Sequence, residues 1–309
     1  MRSRCWIYSE KVKYKSIIKI ICYFGQWPEW IDFFVESCKW NPTIDWLIFT
    51  DCRPPDNDAP NVRYEHVSFA DYTSRVSQRL KIDFRPDSPY KLCDLKPALG
   101  YVHESDIESH DFFAFGDIDI IYGNLRRFLS PEVLAHNVVS NHWNRISGHF
   151  AIFRNSEMFR NAFRQIPEWK ASFETQKHLG LDESKFTKVF LKHRKHPLLL
   201  RKLWGLFSPY RRRCYFQEQY TTILSPIKWN DGNPEHPQTW CWRKGTLTNT
   251  RDTGREYMYL HFMNWKSNRW LPRPARSRPS AWQDLDSVIH TDYRSPEGWN
   301  ITPQGFISP

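Results

Sequence analysis

Apolar residues recur along this chain in two rhythms, and the alternation between them predicts its elements. Residues 17–25, IIKIICYFG, form a β-branched apolar run that closes on glycine, the pattern of a buried strand that stops abruptly. Residues 27–42 switch to helical spacing, with Trp30, Phe33, Phe34, Ser37 and Cys38 on one face, and end at Asn41-Pro42. IDWLIFTDC (44–52) reads as a second strand, VRYEHVS (62–68) as a short third, and 70–81 as a polar helix. YKLCDLKPALGYVH (90–103) reads as a helix with an internal proline, leading into the aromatic strand FFAFGDIDIIYG (112–123). NVVSNHW and GHFAIFRN suggest two more strands, and helices are expected at 156–166, 168–179 and 183–193. Beyond 214 the pattern loosens, apart from EYMYLHFMNWKS (256–267), a strand running into a loop. Apolar strands alternating with helices predict an α/β fold with a mostly parallel, doubly wound sheet. In such sheets ligands bind beyond the carboxyl ends of the strands.

The chain holds three Asp-x-Asp pairs: Asp56/Asp58, Asp117/Asp119 and Asp284/Asp286. The first lies in the loop PPDNDAP, whose prolines mark turn chemistry and solvated carboxylates. The middle pair stands at the end of an apolar run. Side chains two apart on a strand point the same way, so Asp117 and Asp119 are expected to project together while Ile118 and Ile120 face the core. Two neighbouring carboxylates repel unless something compensates them. A hard divalent cation, Mg²⁺ or Mn²⁺, does so and in turn neutralises a diphosphate. Loop N–H groups, or Arg126 and Arg127 just downstream, are the alternative partners.

Charge and cysteine usage narrow the field. A net charge of +10 calls for an anionic partner without choosing among nucleic acid, lipid headgroups and nucleotide phosphates. Residues 1–16 read as a basic N-terminal extension, and Lys19 is counted with that basic start. Residues 190–213 combine eight Lys or Arg with a leucine-rich run and no acid, which fits either a peripheral contact with an anionic membrane or a solvated basic helix. No apolar run approaches the roughly 18 residues that cross a bilayer. Seven scattered cysteines without a Cys-x-x-Cys pair argue against a zinc site and a disulfide framework and for a reducing, cytoplasmic setting. No RNA- or DNA-binding module is recognisable, and no nucleic-acid partner is expected. Residues 269–309 read as an irregular tail.

Taken in order, CYFG, FTD, CDLKPALGYV, GDIDIIYGN, GHFAIFRN and LHFMNWKS resemble the GT-A-type nucleotide-sugar glycosyltransferases, most nearly a group of bacterial GT-A-like proteins associated with surface-polysaccharide biosynthesis. The resemblance spans about residues 17–268 and implies a single GT-A-like, Rossmann-type catalytic domain there. It implies that Asp117 and Asp119 hold the metal that grips the donor's diphosphate. His261 in HFMNWKSNRW matches a third metal ligand of the glycogenin-like branch, and Lys266 a phosphate-touching lysine, although the glycine and the Lys-Pro-Trp ending of that motif are absent. It places Asp94 and Lys96 near the donor ribose and sugar, Tyr23, Phe24 and Gly25 beside the base with Asp51 close by, and Gly148 and His149 near the acceptor or donor sugar.

The activity implied is transfer of a sugar from a nucleoside diphosphate sugar to a glycan or a lipid-linked oligosaccharide. Inverting chemistry needs a carboxylate base, for which Asp182 and Glu183 are candidates, although capping the following helix is the readier role for Asp182. The late histidine leans towards retaining chemistry by analogy. A catalytically silent GT-A-like protein that binds a glycan or nucleotide is the alternative.

Overall fold

The computed structural model describes residues 14–191, 197, 199–200, 203, 210, 213–219, 229–233, 235–269 and 277–309. Most of the basic extension and of the basic leucine-rich segment lies outside the described residues. Among those described, a mixed sheet runs in the order β3-β2-β1-β4-β7-β6-β8. Its strands are β1 (Ile17–Cys22), β2 (Ile44–Thr50), β3 (Val62–His66), β4 (Phe112–Gly116), β6 (Val138–Ser140), β7 (Phe150–Arg154) and β8 (Cys214–Phe216). The pairings β1–β2, β2–β3, β1–β4 and β6–β8 are parallel, while β7 is antiparallel to both β4 and β6. The mostly parallel α/β sheet expected from the alternation is what forms.

Both faces of this sheet are covered, as parallel strands require. Ile18 and Ile20 of β1 and Phe113 and Phe115 of β4 join one core, with Tyr72, Val76 and Leu80 of the helix α2 (Phe69–Leu80). Ile17, Ile21, Phe112 and Ala114 point into the other, with Phe34, Val35 and Cys38 of the helix α1 (Ile31–Lys39). Ser68 caps α2 by accepting from the Asp71 N–H. The stretch 90–103, expected as one helix with an internal proline, is broken instead into short 3₁₀ and α turns over Pro89–Val102, with Pro97 in the second 3₁₀ turn.

Three expectations are corrected. Lys19, counted with the basic start although it also falls in the strand read over 17–25, belongs to the strand: it lies inside β1 on the same face as Ile17 and Ile21, fully buried. Residues 269–309 are no irregular tail throughout, because β12 (Trp299–Thr302) and β13 (Gly305–Ile307) form a hairpin. That hairpin joins β9 (Trp240–Arg243) and β10 (Thr246–Asn249) in a second, antiparallel sheet ordered β10-β9-β12-β13. Its core is aromatic: Trp242 stacks on Trp299 at 4.4 Å and 5°, and Phe33 of α1 packs edge-on against Trp299. The third correction concerns Asp182, which does not cap the helix that follows. That helix is Lys185–Phe190, and its N-cap, Ser184, makes no side-chain capping bond.

Candidate active site

β4 ends at Gly116, and the need for glycine there is steric. A Cβ there would sit 2.1 Å from the His149 carbonyl and 2.6 Å from Lys19 Nζ, so only glycine lets the backbones approach. The chain then bends through Asp117, Ile118 and Asp119 before β5 (Ile120–Tyr122) begins. The acidic pair therefore occupies a break between two strands, not one continuous strand, and strand alternation is not what aligns it. Asp117 N donates to the His149 carbonyl at 3.2 Å, and Ile118 is buried in the apolar core. Asp119 is buried while the side chain of Asp117 is 32% exposed.

The third member arrives through β11 (Tyr259–His261), which pairs antiparallel with β5 and sets His261 opposite Ile120. Ligand atoms of Asp117, Asp119 and His261 lie within 4.8 Å of one another. His261 Nε2 is 3.4 Å from Asp119 Oδ1, and His261 is buried with neither ring nitrogen in a hydrogen bond. An orphaned imidazole beside two carboxylates is the donor set a divalent cation would satisfy.

Two lysines neutralise the pair. Lys266, in a single helical turn after β11, reaches Asp119 Oδ2 at 2.5 Å. Burial works against the charged form of Asp119, but Lys266 and then His261 outweigh it and hold the carboxyl well below its usual range. Buried Lys96 lies 2.5 Å from Asp117 Oδ1, donates to the Gly148 carbonyl at 3.0 Å and approaches Asp182 Oδ2 at 3.6 Å. Its burial disfavours the ammonium, yet Asp117 keeps its pKa well above the ordinary value. Asp182 behaves oppositely: burial pushes it up to about 7, against the pull of Lys96. Lys96 is committed to the nearer Asp117, so it compensates Asp182 only in part. Arg126 and Arg127 bond elsewhere, to Thr43 and Glu256.

Gly148, Asp182 and Glu183 meet beside this centre. Gly148 N donates to Glu183 Oε1 at 3.1 Å, and a Cβ on Gly148 would lie 2.5 Å from Asp182 Oδ2. His149 stacks on His261 at 4.2 Å, and its Nε2 hydrogen-bonds with Tyr259 Oη and Ser147 Oγ. Asp94 is fully buried; it accepts from the Leu179 and Leu181 N–H groups at 2.8 and 2.9 Å and from Lys91 at 2.9 Å. Its place is behind the 179–181 segment, which it anchors so that Asp182 faces Lys96.

On the β1 side, Tyr23 stacks on Trp27 at 5.0 Å and 13°. Burial raises the Tyr23 pKa, and both Lys266 and Asp119 lie near enough to act on it. Gly25, with φ of +109°, donates its N–H to Asp51 Oδ1 at 2.8 Å, and the space where a Cβ would project is open. Phe24 turns away into the core against Phe69 and Tyr72.

Pattern reading passed over Lys19, which donates to Tyr122 Oη, lies over the Tyr122 and Phe150 rings and is pushed by burial down to about 7. Only its position within an apolar run hinted at this. Trp30, whose ring lies 5.7 Å from Lys266 Nζ, and His142 with Glu218 were also missed, since nothing local distinguishes them.

No curated protein matches the chain. Among solved structures it is similar to the WbbM bifunctional glycosyltransferase, at 9% identity and a TM-score of 0.38, over 69% of this chain and 40% of that one. GlyE, a glycosyltransferase of Streptococcus pneumoniae TIGR4, aligns at 7% identity and 0.29, over 67% and 46%. Mouse xyloside xylosyltransferase 1 aligns at 9% and 0.34, over 60% and 85%. The chain thus spans less than half the length of the first two. Residues 19–283 match a family of unknown function, DUF6625, and over that span, which carries Asp117, Asp119, His261 and Lys266, the chain belongs to it.

Proposed function

We propose that this protein is a metal-dependent glycosyltransferase that moves a sugar from a nucleoside diphosphate sugar to a hydroxyl of a glycan or lipid-linked acceptor. The observation that carries the reading is the buried His261, its Nδ1 without a hydrogen-bond partner and its Nε2 only in a 3.4 Å contact with Asp119, converging on Asp117 and Asp119. Asp117, Asp119 and His261 would hold Mn²⁺ or Mg²⁺, which supplies Lewis-acid stabilisation of the departing diphosphate. Lys266, 40% exposed, is placed to add positive charge to the same leaving group. The Tyr23–Trp27 stack, Gly25 and Asp51 form the rim assigned to the donor base.

On the far side, Asp182 is the carboxyl assigned to the acceptor hydroxyl, because a pKa near 7 suits a group that takes and returns a proton near neutral pH. Lys96 links it to Asp117, so donor binding and acceptor activation share one cation. Gly148 and His149 line the gap between them, and Glu183 holds the Gly148 N–H. Phe24 and Asp94 take supporting rather than contacting roles in this reading.

The test is Mn²⁺-dependent release of nucleoside diphosphate from a panel of nucleotide sugars, together with thermal shifts by the free diphosphates. Stabilisation that requires Mn²⁺ and disappears in Asp119→Asn, with turnover lowered at least about 10²-fold, is the expected result. A diphosphate-dependent shift with no product from any donor would replace catalysis by a silent binding role. No metal-dependent shift at all removes the reading.

A further inference from the structure

The loop between β6 and β7 gathers a second set of ligand-type side chains that the reading above leaves without a metal. Ligand atoms of His142, His149 and Glu183 lie within 4.8 Å of one another. His142 follows β6, His149 precedes β7, and Glu183 belongs to the segment that Asp94 anchors. Behind His142 stands Glu218, just past β8: its Oε2 is 3.1 Å from His142 Nδ1, and the two side chains are only 6% and 5% exposed. A carboxylate on the far ring nitrogen is how ligating histidines are oriented and made more basic.

The charges here are poorly matched for a finished structural cluster. Glu218 Oε1 is buried without a hydrogen-bond partner. The cation at hand is Arg145, whose Nη2 is 3.4 Å from His142 Nε2 and whose Nε is 3.6 Å from Glu183 Oε2. That Nε is itself buried and unbonded. A buried Glu218 oxygen and a buried Arg145 nitrogen left unbonded are costly even though the Arg145 and Glu183 side chains are 33% and 38% exposed, and a compact ion would bind the same side chains better than a splayed guanidinium does.

We propose that His142, His149 and Glu183 form a second divalent-metal site, with Glu218 orienting His142 and Arg145 withdrawing as the ion enters. Two imidazole nitrogens and one carboxylate oxygen suit Zn²⁺ or Co²⁺, whereas the carboxylate-richer Asp117–Asp119–His261 set suits Mn²⁺ or Mg²⁺. The two sites abut through the stacked rings of His149 and His261 but share no ligand. The second site does not depend on the donor-binding reading.

The full chain, stripped with chelator, is titrated with Co²⁺ and followed by visible absorption and metal analysis. Two ions per chain are expected in the native sequence, and one in either Asp119→Asn or His142→Ala. Glu218→Gln should weaken the second ion 10–100-fold, and Arg145→Ala should tighten it. One ion in the native chain that His142→Ala removes and Asp119→Asn keeps supports this site while sinking the first. An ion count unchanged in both His142→Ala and Glu183→Gln, with circular dichroism showing both folded, overturns it. So does a single native ion that only Asp119→Asn removes.

Discussion

Lys266 Nζ lies 2.5 Å from Oδ2 of Asp119, a residue 147 positions earlier in the chain. The lysine compensates a buried carboxylate that a metal ion would also claim, so the two cations compete for Asp119 while both favour an anionic ligand. Lys266→Ala should therefore leave Mn²⁺ affinity intact or tighter and weaken nucleoside diphosphate binding by about tenfold or more. Calorimetric titration of Mn²⁺ and then of diphosphate separates the two effects. Loss of both affinities together would mean that Lys266 merely holds the fold.

Asp182 and Lys19 make opposite marks on stability. Asp182 has a folded pKa of about 7 against 3.8 ordinarily, so between those values the folded chain keeps a proton that the unfolded chain has lost. Its contribution is present below 3.8 and is lost as pH rises to 7. Lys19, lowered from 10.5 to about 7, has the reverse effect: stability is gained as pH rises from 7 to 10.5. Melting temperatures across pH 4 to 10 should lose the acid-side fall in Asp182→Asn and the alkaline-side rise in Lys19→Met. Unchanged slopes in both variants would contradict the burial argument.

Gly148 is where one methyl group should separate fold from chemistry. Its added Cβ would meet Asp182 Oδ2 at 2.5 Å and Glu183 Cγ at 3.1 Å, side-chain atoms that can move aside. Gly148→Ala is expected to displace Asp182 from Lys96 and cost about 10²-fold in turnover, as a misplacement near 1 Å does, with a melting point lowered by only a few degrees. Gly116→Ala, whose Cβ faces a backbone carbonyl at 2.1 Å, should instead fail to fold.

The aromatic second sheet predicts a purely structural loss. Trp299 is fully buried between Trp242 and Phe33, so Trp299→Ala should destabilise by about 3–5 kcal/mol, measured by urea unfolding. A change under about 1 kcal/mol would mean that this sheet collapses around the gap.

Much of the main sheet was legible because its early strands and α1 carry strong local periodicity. IIKIIC and IDWLIF read as buried strands, and that is what β1 and β2 are. The acidic pair was found for a reason that does not hold, since Asp117 and Asp119 flank a strand break and meet because β7 and β11 hold either side of the bend. The buried state of Lys19 depends on Gly116, Tyr122 and Phe150, none of them its sequence neighbours. The strands β9, β10, β12 and β13, of three or four residues each, are too short to show a period, which is why the second sheet went unread in the loosened pattern beyond 214 and in the tail, whereas β11 was read within EYMYLHFMNWKS. Asp94 looked like a ligand-facing acid because no pattern shows that its oxygens are taken by backbone N–H groups from 179 and 181.

The ladder between β5 and β11 sets a timetable for the molecule. Its pairs, from Tyr122–Tyr259 to Ile120–His261, lie about 140 residues apart, and closing a loop of that length costs about 3 kcal/mol more than a local turn, an entropy that must be met before any contact there is rewarded. The helices and inner parallel strands can therefore assemble while the acidic bend still lacks its histidine and lysine. In refolding, far-ultraviolet signal should return well ahead of the ability to bind manganese, and the site should be the last thing the chain completes.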